Sequence, residues 1–354
     1  MTAGRMTASL LALVVAGHAC ASNDEHLQVG GGDIAVEFNS TPAPAVRKLV
    51  LDWVTKSAKA VTTYYKKFPV SAVHIHILFY DGRGTRSGHT NGWNGSSIRI
   101  AVGTKSSASD FDEDWMMTHE MVHLAFPSVA TAHHWIEEGQ ATYIEPVARA
   151  RAGDLTPEKV WGDLVDGLPN GLPGPQDRGL DFTPTWGRTY WGGALFCLLA
   201  DIEIRKRTGN RRGLEDALRA VLAAGGTVEA EWPLTKALRI GDDATGVPVL
   251  SELYEKMKAS PFQVDLGALW KELGVAKKDG LIRFNDSAPL AAIRRTITAT
   301  TPHNSLTGQE NNQDRLQRPA PHEWPRAIAV GPTGRGRLGN WFGDWSLPGW
   351  FCSR

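Results

Sequence analysis

The run His119-Glu120-Met121-Val122-His123 limits what this chain of 354 residues can fold into more than any other feature. On an α-helix, residues at positions i and i+4 stand about 400° apart around the axis, or about 40° modulo a turn. Both imidazoles then project from one face, within reach of a single cation. Met117, Met121 and Leu124 recur on a helical face, so the same helix has an apolar side to bury. Glu120 follows the first histidine, which sets its carboxylate beside the cation rather than on it, where it can take the proton of a water. Zinc lowers the pKa of such a water from about 16 to about 7, so a carboxylate base suffices at neutral pH.

A catalytic zinc needs a third protein ligand and one open position. The pattern HExxHxxGxxH would demand glycine at 126 and histidine at 129; the chain has Phe126 and Val129, which excludes that class. His133, His134 and Glu138 are the candidates, with Glu137 a rival beside the last. A helix over Trp135 to Glu145 places Glu138 and Glu145 on one face, so that one can bind metal while the other orients a ligating histidine.

The rest of the composition bounds the setting. Apolar residues make up 42% and charged residues 21%, as in an ordinary globular protein. The 38 basic and 38 acidic side chains balance, which removes the electrostatic reason to expect nucleic acid or an anionic membrane as main partner. Arg5, the apolar run Leu10 to Val15 and the small residues Ala19-Cys20-Ala21 read as a signal peptide over residues 1–21. The run is too short to span a bilayer as a mature helix. Secretion or a cell-envelope location follows, with lipidation of Cys20 as the alternative. A disulfide between Cys197 and Cys352, in a buried helix and a polar tail, is not expected.

Along the chain, Asp33 to Phe38, Val70 to Tyr80 and Ser97 to Val102 read as strands, and Ala45 to Tyr65 as a helix. Asp81 to Ser96 reads as an active-site loop. One helix is expected over Asp110 to Phe126, and another from Trp135 that Pro146 should stop or kink. Gly167 to Pro184 reads as a loop or a boundary between lobes. Helices are then expected near Tyr190 to Arg207, Gly213 to Ala224, Val249 to Lys258 and Leu266 to Leu273. A last strand over Leu281 to Phe284 and a short helix near Pro289 to Ile297 follow. Beyond about Thr301 the chain supplies no periodic apolar face, so residues 301–354 read as a polar, disordered tail.

Together, His119-Glu120-Met121-Val122-His123 and Trp135-Ile136-Glu137-Glu138-Gly139-Gln140-Ala141-Thr142-Tyr143-Ile144-Glu145 resemble the gluzincin metallopeptidases, whose alanyl and glycyl aminopeptidase-type members carry HExxH followed by W-x-x-E-G-x-A/T-x-Y-x-E. Thr189-Tyr190-Trp191-Gly192-Gly193-Ala194 is similar to their Y-x-x-G-A segment. The resemblance implies an α+β, thermolysin-like catalytic domain over residues 22–300. Its small strand-rich N-terminal lobe would cover about 27–166 and its helical C-terminal lobe about 186–300. It implies one zinc ion on His119, His123 and Glu138, Glu145 behind them, Glu120 as general base and Tyr190 as oxyanion stabiliser, acting on a peptide or protein substrate.

Two departures stand out. Fourteen residues separate His123 from Glu138, a few fewer than in those aminopeptidases. Where they hold the substrate's amine with an acidic strand motif, this chain has Gly88-His89-Thr90-Asn91-Gly92-Trp93-Asn94, with no glutamate. The sequence thus favours metal-assisted peptide hydrolysis without supporting aminopeptidase specificity. A noncatalytic envelope binding protein and a zinc hydrolase of a non-peptide substrate are the competing readings.

Overall fold

The strands expected near the start of the chain belong to one mixed sheet. A computed structural model describes residues 24 to 301. Strands β1 (Glu25–Val29) and β2 (Gly32–Phe38) form an antiparallel hairpin, turned by Gly30 and Gly31 at positive φ. Helix α1 (Pro44–Tyr65) then leads to β3 (Ala72–Tyr80), which runs parallel to β2, and β5 (Ser97–Gly103) runs parallel to β3. Between them in sequence, β4 (Thr85–Asn91) pairs antiparallel with β5 on the outer edge, giving the order β1-β2-β3-β5-β4. Alternate residues Ile34, Val36, Ile75, Ile77, Ile98 and Ile100 are fully buried, in one apolar core with Val50, Val54, Ala58 and Val61 of α1. Period-two burial of β-branched residues made these strands readable.

Strand β4 corrects the expectation of a loop over Asp81 to Ser96. Its sequence, Thr85-Arg86-Ser87-Gly88-His89-Thr90-Asn91, has no apolar alternation, and a bulge between Arg86 and His89 breaks its register. It is a strand because the edge of β5 supplies hydrogen-bond partners.

The helix expected over Asp110 to Phe126 is two: α2 (Ala108–Asp112) and α3 (Met116–His123). The break is made by Asp114, whose Oδ1 accepts the backbone N–H of Met116 at 2.9 Å and of Met117 at 3.3 Å, capping a new helix. Conversely, α4 (His134–Arg151) does not stop at Pro146. A proline costs about 3 kcal/mol inside a helix, but Tyr143, Ile144, Val147 and Ala148 around it are fully buried, and that apolar burial outweighs the lost bond.

Helix α5 (Pro157–Gly167) is followed by 3₁₀ turns at Leu168–Gly171 and Leu180–Phe182, a π-helical turn at Gly187–Gly192, and α6 (Gly193–Thr208). Helices α7 (Leu214–Ala223), α8 (Leu234–Thr245), α9 (Val249–Met257) and α10 (Leu266–Leu273) complete the helical region. A hairpin of β6 (Val275–Lys278) and β7 (Leu281–Phe284) and helix α11 (Ala291–Ile297) follow. Behind the site, buried charges join three helices. Arg205 of α6 binds Asp201 at 2.8 Å and Glu215 of α7 at 2.7 Å, and Arg151 of α4 lies 3.2 Å from Glu215. The Tyr143 hydroxyl donates to Asp201.

The expected leader, Cys20, Cys352 and residues 302–354 of the expected tail lie outside the described residues. Cys197 is a buried free thiol, and burial pushes its pKa up. Among the described residues no helix is long and apolar enough to cross a membrane.

Candidate metal centre

Helices α3 and α4 face each other, and their side chains build the site. His119 Nε2 lies 3.2 Å, and His123 Nε2 3.7 Å, from the same Glu138 oxygen, Oε2. One ligand atom from each of these three residues lies within 4.8 Å of the others, and they are the one such cluster among the described residues. A tetrahedral zinc with bonds of about 2.0–2.1 Å has ligand-to-ligand edges of roughly 3.3–3.4 Å. Two imidazole nitrogens and a carboxylate oxygen at these separations therefore fit zinc in spacing and in donor chemistry. His119 is 4% exposed, so the centre is screened from bulk water on the α3 side.

Of the other candidates, His134 binds Glu137 through Nδ1 at 3.0 Å and places its Nε2 3.3 Å from the second Glu138 oxygen, Oε1. His133 is directed through Nδ1 to Asp181 at 3.0 Å. Burial alone would raise the Glu138 carboxyl, but His123, His119 and His134 together hold it well below the ordinary carboxylate range. Glu145 accepts a hydrogen bond from Arg149 at 2.9 Å, and Arg149 also donates to the carbonyl of Asp112. The structure thus pairs Glu145 with an arginine, and burial pushes its carboxyl up against the pull of that arginine.

Glu120 is buried beside the cluster. Thr90 of β4 donates its hydroxyl proton to Glu120 Oε2 at 2.6 Å. Gly88 lies so close that a methyl group there would stand 2.8 Å from both Cγ and Cδ of Glu120. Burial pushes the Glu120 carboxyl up, against the pull of His123 and the Thr90 hydrogen bond. Thr85 donates to Asp114, the cap of α3, so β4 is tied to α3 at both ends. Sequence reasoning missed Thr85, Gly88 and Thr90, because a polar edge strand carries no periodic signal.

Tyr190 stands in the π-helical turn, a rare conformation that re-aims side chains and recurs at functional sites. Its ring stacks 6.4 Å from that of His119. Burial, Glu138 and Glu120 push its phenol up, so it stays a proton donor at neutral pH. Two glycines bring it there. A Cβ on Gly193 would stand 2.7 Å from the Cα of Gly139, and a Cβ on Gly139 would stand 2.8 Å from the nitrogen of Ala194. Residues next to Glu138 and just beyond Tyr190 therefore must lack side chains for α4 and α6 to cross this closely.

No family model matches this sequence, and no curated protein matches it. Solved structures similar to it include an aminopeptidase N family protein from Idiomarina loihiensis, at a TM-score of 0.50 and 12% identity, covering 71% of this chain and 49% of that one. An M1 zinc metallopeptidase from Deinococcus radiodurans gives a TM-score of 0.45 at 15% identity, covering 68% and 52%. The chain spans about half the length of these proteins. At 12% identity the first likeness shows a shared fold: a mixed α+β arrangement with a strand-rich N-terminal sheet followed by helices.

Proposed function

We propose that this protein is a zinc-dependent peptidase with a gluzincin-like catalytic domain, exported from the cytoplasm by the leader read at residues 1–21. The observation that carries the reading is the convergence of His119, His123 and Glu138 beside a buried, tethered Glu120. These three residues would hold one zinc ion, which when bound supplies Lewis acidity and makes water a nucleophile at neutral pH. Glu120 accepts the proton of the attacking water and passes it to the departing amine. Tyr190 donates a hydrogen bond to the developing oxyanion, where one well-placed donor is worth about 3–4 kcal/mol. Arg149 fixes Glu145 behind the ligands.

Strand β4, which touches Glu120, carries no carboxylate with which to hold a free α-amine. An endopeptidase, or an exopeptidase with a different anchor, suits this strand better than an aminopeptidase.

Glu120→Gln tests the proposal. It should reduce peptide hydrolysis by about 10²–10⁴-fold while zinc content, measured by elemental analysis, remains at one ion. Hydrolysis near the wild-type rate would refute it. A purely structural zinc site has no use for a general base, so the same variant also separates catalysis from a binding role on a peptidase scaffold.

A further inference from the structure

From the buried metal cluster to solvent runs a stair of three aromatic rings. His119 stacks with Tyr190, and Tyr190 stacks in turn with Trp186 at 6.2 Å between centroids and 30° between planes. Trp186 is 48% exposed. A single exposed aromatic is ordinary on a protein surface. This one differs in being one ring away from the proposed oxyanion donor and in sitting on a segment that cannot readily fold it inward.

Both halves of that segment are anchored. Arg188, two residues after Trp186, forms an ion pair with Asp177 at 2.7 Å, with side chains 4% and 1% exposed, and also donates to the carbonyl of Gly171. Asp181 accepts three hydrogen bonds: from Trp135 Nε1 at 2.8 Å, His133 Nδ1 at 3.0 Å and the Tyr254 hydroxyl at 3.0 Å. Its backbone N–H donates to the carbonyl of Lys258 at 2.9 Å. Trp135 lies in the first turn of the helix that carries Glu138, so Asp181, five residues before Trp186, is tied to that helix. A ring that leaves an anchored backbone has less freedom to lose when a ligand arrives.

We propose that Trp186 is the wall of a substrate subsite and selects an aromatic or long aliphatic side chain on a residue flanking the scissile bond. The inference rests on the peptidase reading. A flat indole stacked on Tyr190 extends the stair to a fourth ring or a long aliphatic chain. It offers glycine or an acidic side chain no comparable contact.

The test uses a series of peptides blocked at both ends and differing only in the flanking residues, Gly, Ala, Leu or Phe. Zinc-loaded wild-type protein should show a higher kcat/KM for Phe and Leu than for Gly. In Trp186→Ala that ratio should fall by about tenfold to a hundredfold, whereas Trp186→Phe, which keeps a ring, should hold it within about threefold. Should Trp186→Ala fail to fold by circular dichroism, Trp186→Gln supplies the same comparison.

A binding arm separates this inference from the one beneath it. Calorimetry on Glu120→Gln should give the same order of Kd values, and adding Trp186→Ala should erase it. If no peptide is hydrolysed by wild type but this Trp186-dependent preference in binding is found, the peptidase reading fails and the subsite stands. Equal losses for Phe and Gly peptides in Trp186→Ala, no preference in the wild type, or no binding of any peptide would each overturn the proposal.

Discussion

Adding one methyl group at Gly88 tests how Glu120, the proposed general base, is held. Gly88 sits on β4, and its backbone does not have a positive φ, so alanine brings no backbone strain there. The whole effect falls on Glu120. A Cβ would stand 2.4 Å from its Oε1 and 2.8 Å from its Cγ and Cδ. Non-bonded heavy atoms pack best at about 3.5 Å or more, so the carboxylate must retreat by roughly 1 Å, and it cannot keep its 2.6 Å hydrogen bond to Thr90 in place while doing so. Glu120 is buried, so no solvent layer absorbs the shift. Misplacement of a catalytic group by about 1 Å costs on the order of 10²-fold. Gly88→Ala should therefore lower kcat by about tenfold to a hundredfold, with zinc content unchanged and the thermal midpoint within a few degrees of wild type. Hydrolysis of an internally quenched peptide, elemental analysis and calorimetric unfolding give the three readings. Full activity in a folded, zinc-loaded Gly88→Ala protein would refute the assignment of Glu120 or the rigidity of β4 against α3.

Further outcomes follow from the same geometry. Tyr190→Phe should lose about 10²–10³-fold in kcat at unchanged zinc content; loss of zinc as well would make the tyrosine structural. Zinc at about a thousandfold excess over its Kd should stabilise the fold by about 4 kcal/mol, seen as a higher thermal midpoint that chelator reverses. A midpoint indifferent to both would mean that the cluster holds no metal. Glu215→Gln leaves the buried Arg151 without its carboxylate and Arg205 with Asp201 alone, and should cost about 3–5 kcal/mol in urea unfolding at neutral pH. A loss below about 1 kcal/mol would show that the network contributes little.

What was legible in the sequence depended on whether one residue's neighbours lay along the chain or across it. The HExxH spacing is a local, helical fact, and β2, β3 and β5 announced themselves by alternating isoleucine and valine. The helix that carries Glu138 was legible through its own spacing. By contrast, the break before α3 depends on Asp114 folding back as a cap, and capping competes with helix continuation in ways that periodicity does not register. The helix through Pro146 persists because tertiary burial overrides a local penalty. Helix α8 went unseen although its burial is amphipathic, with Leu234, Ala237, Leu238 and Gly241 facing inward. The Thr90 contact to Glu120 joins residues 30 apart in sequence, and nothing local specifies it.

The connection between α3 and α4 is held by one segment that braces both sides of the candidate site. After His123 the chain buries Leu124, Ala125 and Phe126. The backbone of Ser128 then exchanges hydrogen bonds with that of Ala230 and Trp232, at 2.8 and 3.0 Å. A 3₁₀ turn at Thr131–His133 runs directly into α4. Fourteen residues suffice because the connection borrows its hydrogen bonds from the 228–232 segment instead of building its own support. The same segment reaches the other wall. Val228 donates to the carbonyl of Leu124 at 3.2 Å, Gly92 at the tip of the β4–β5 hairpin packs against the Val228–Glu229 peptide, and Ser96 donates to Glu229 at 2.7 Å. The chain leaving His123 on one side and the strand that holds Glu120 on the other are thus registered against a single stretch of backbone.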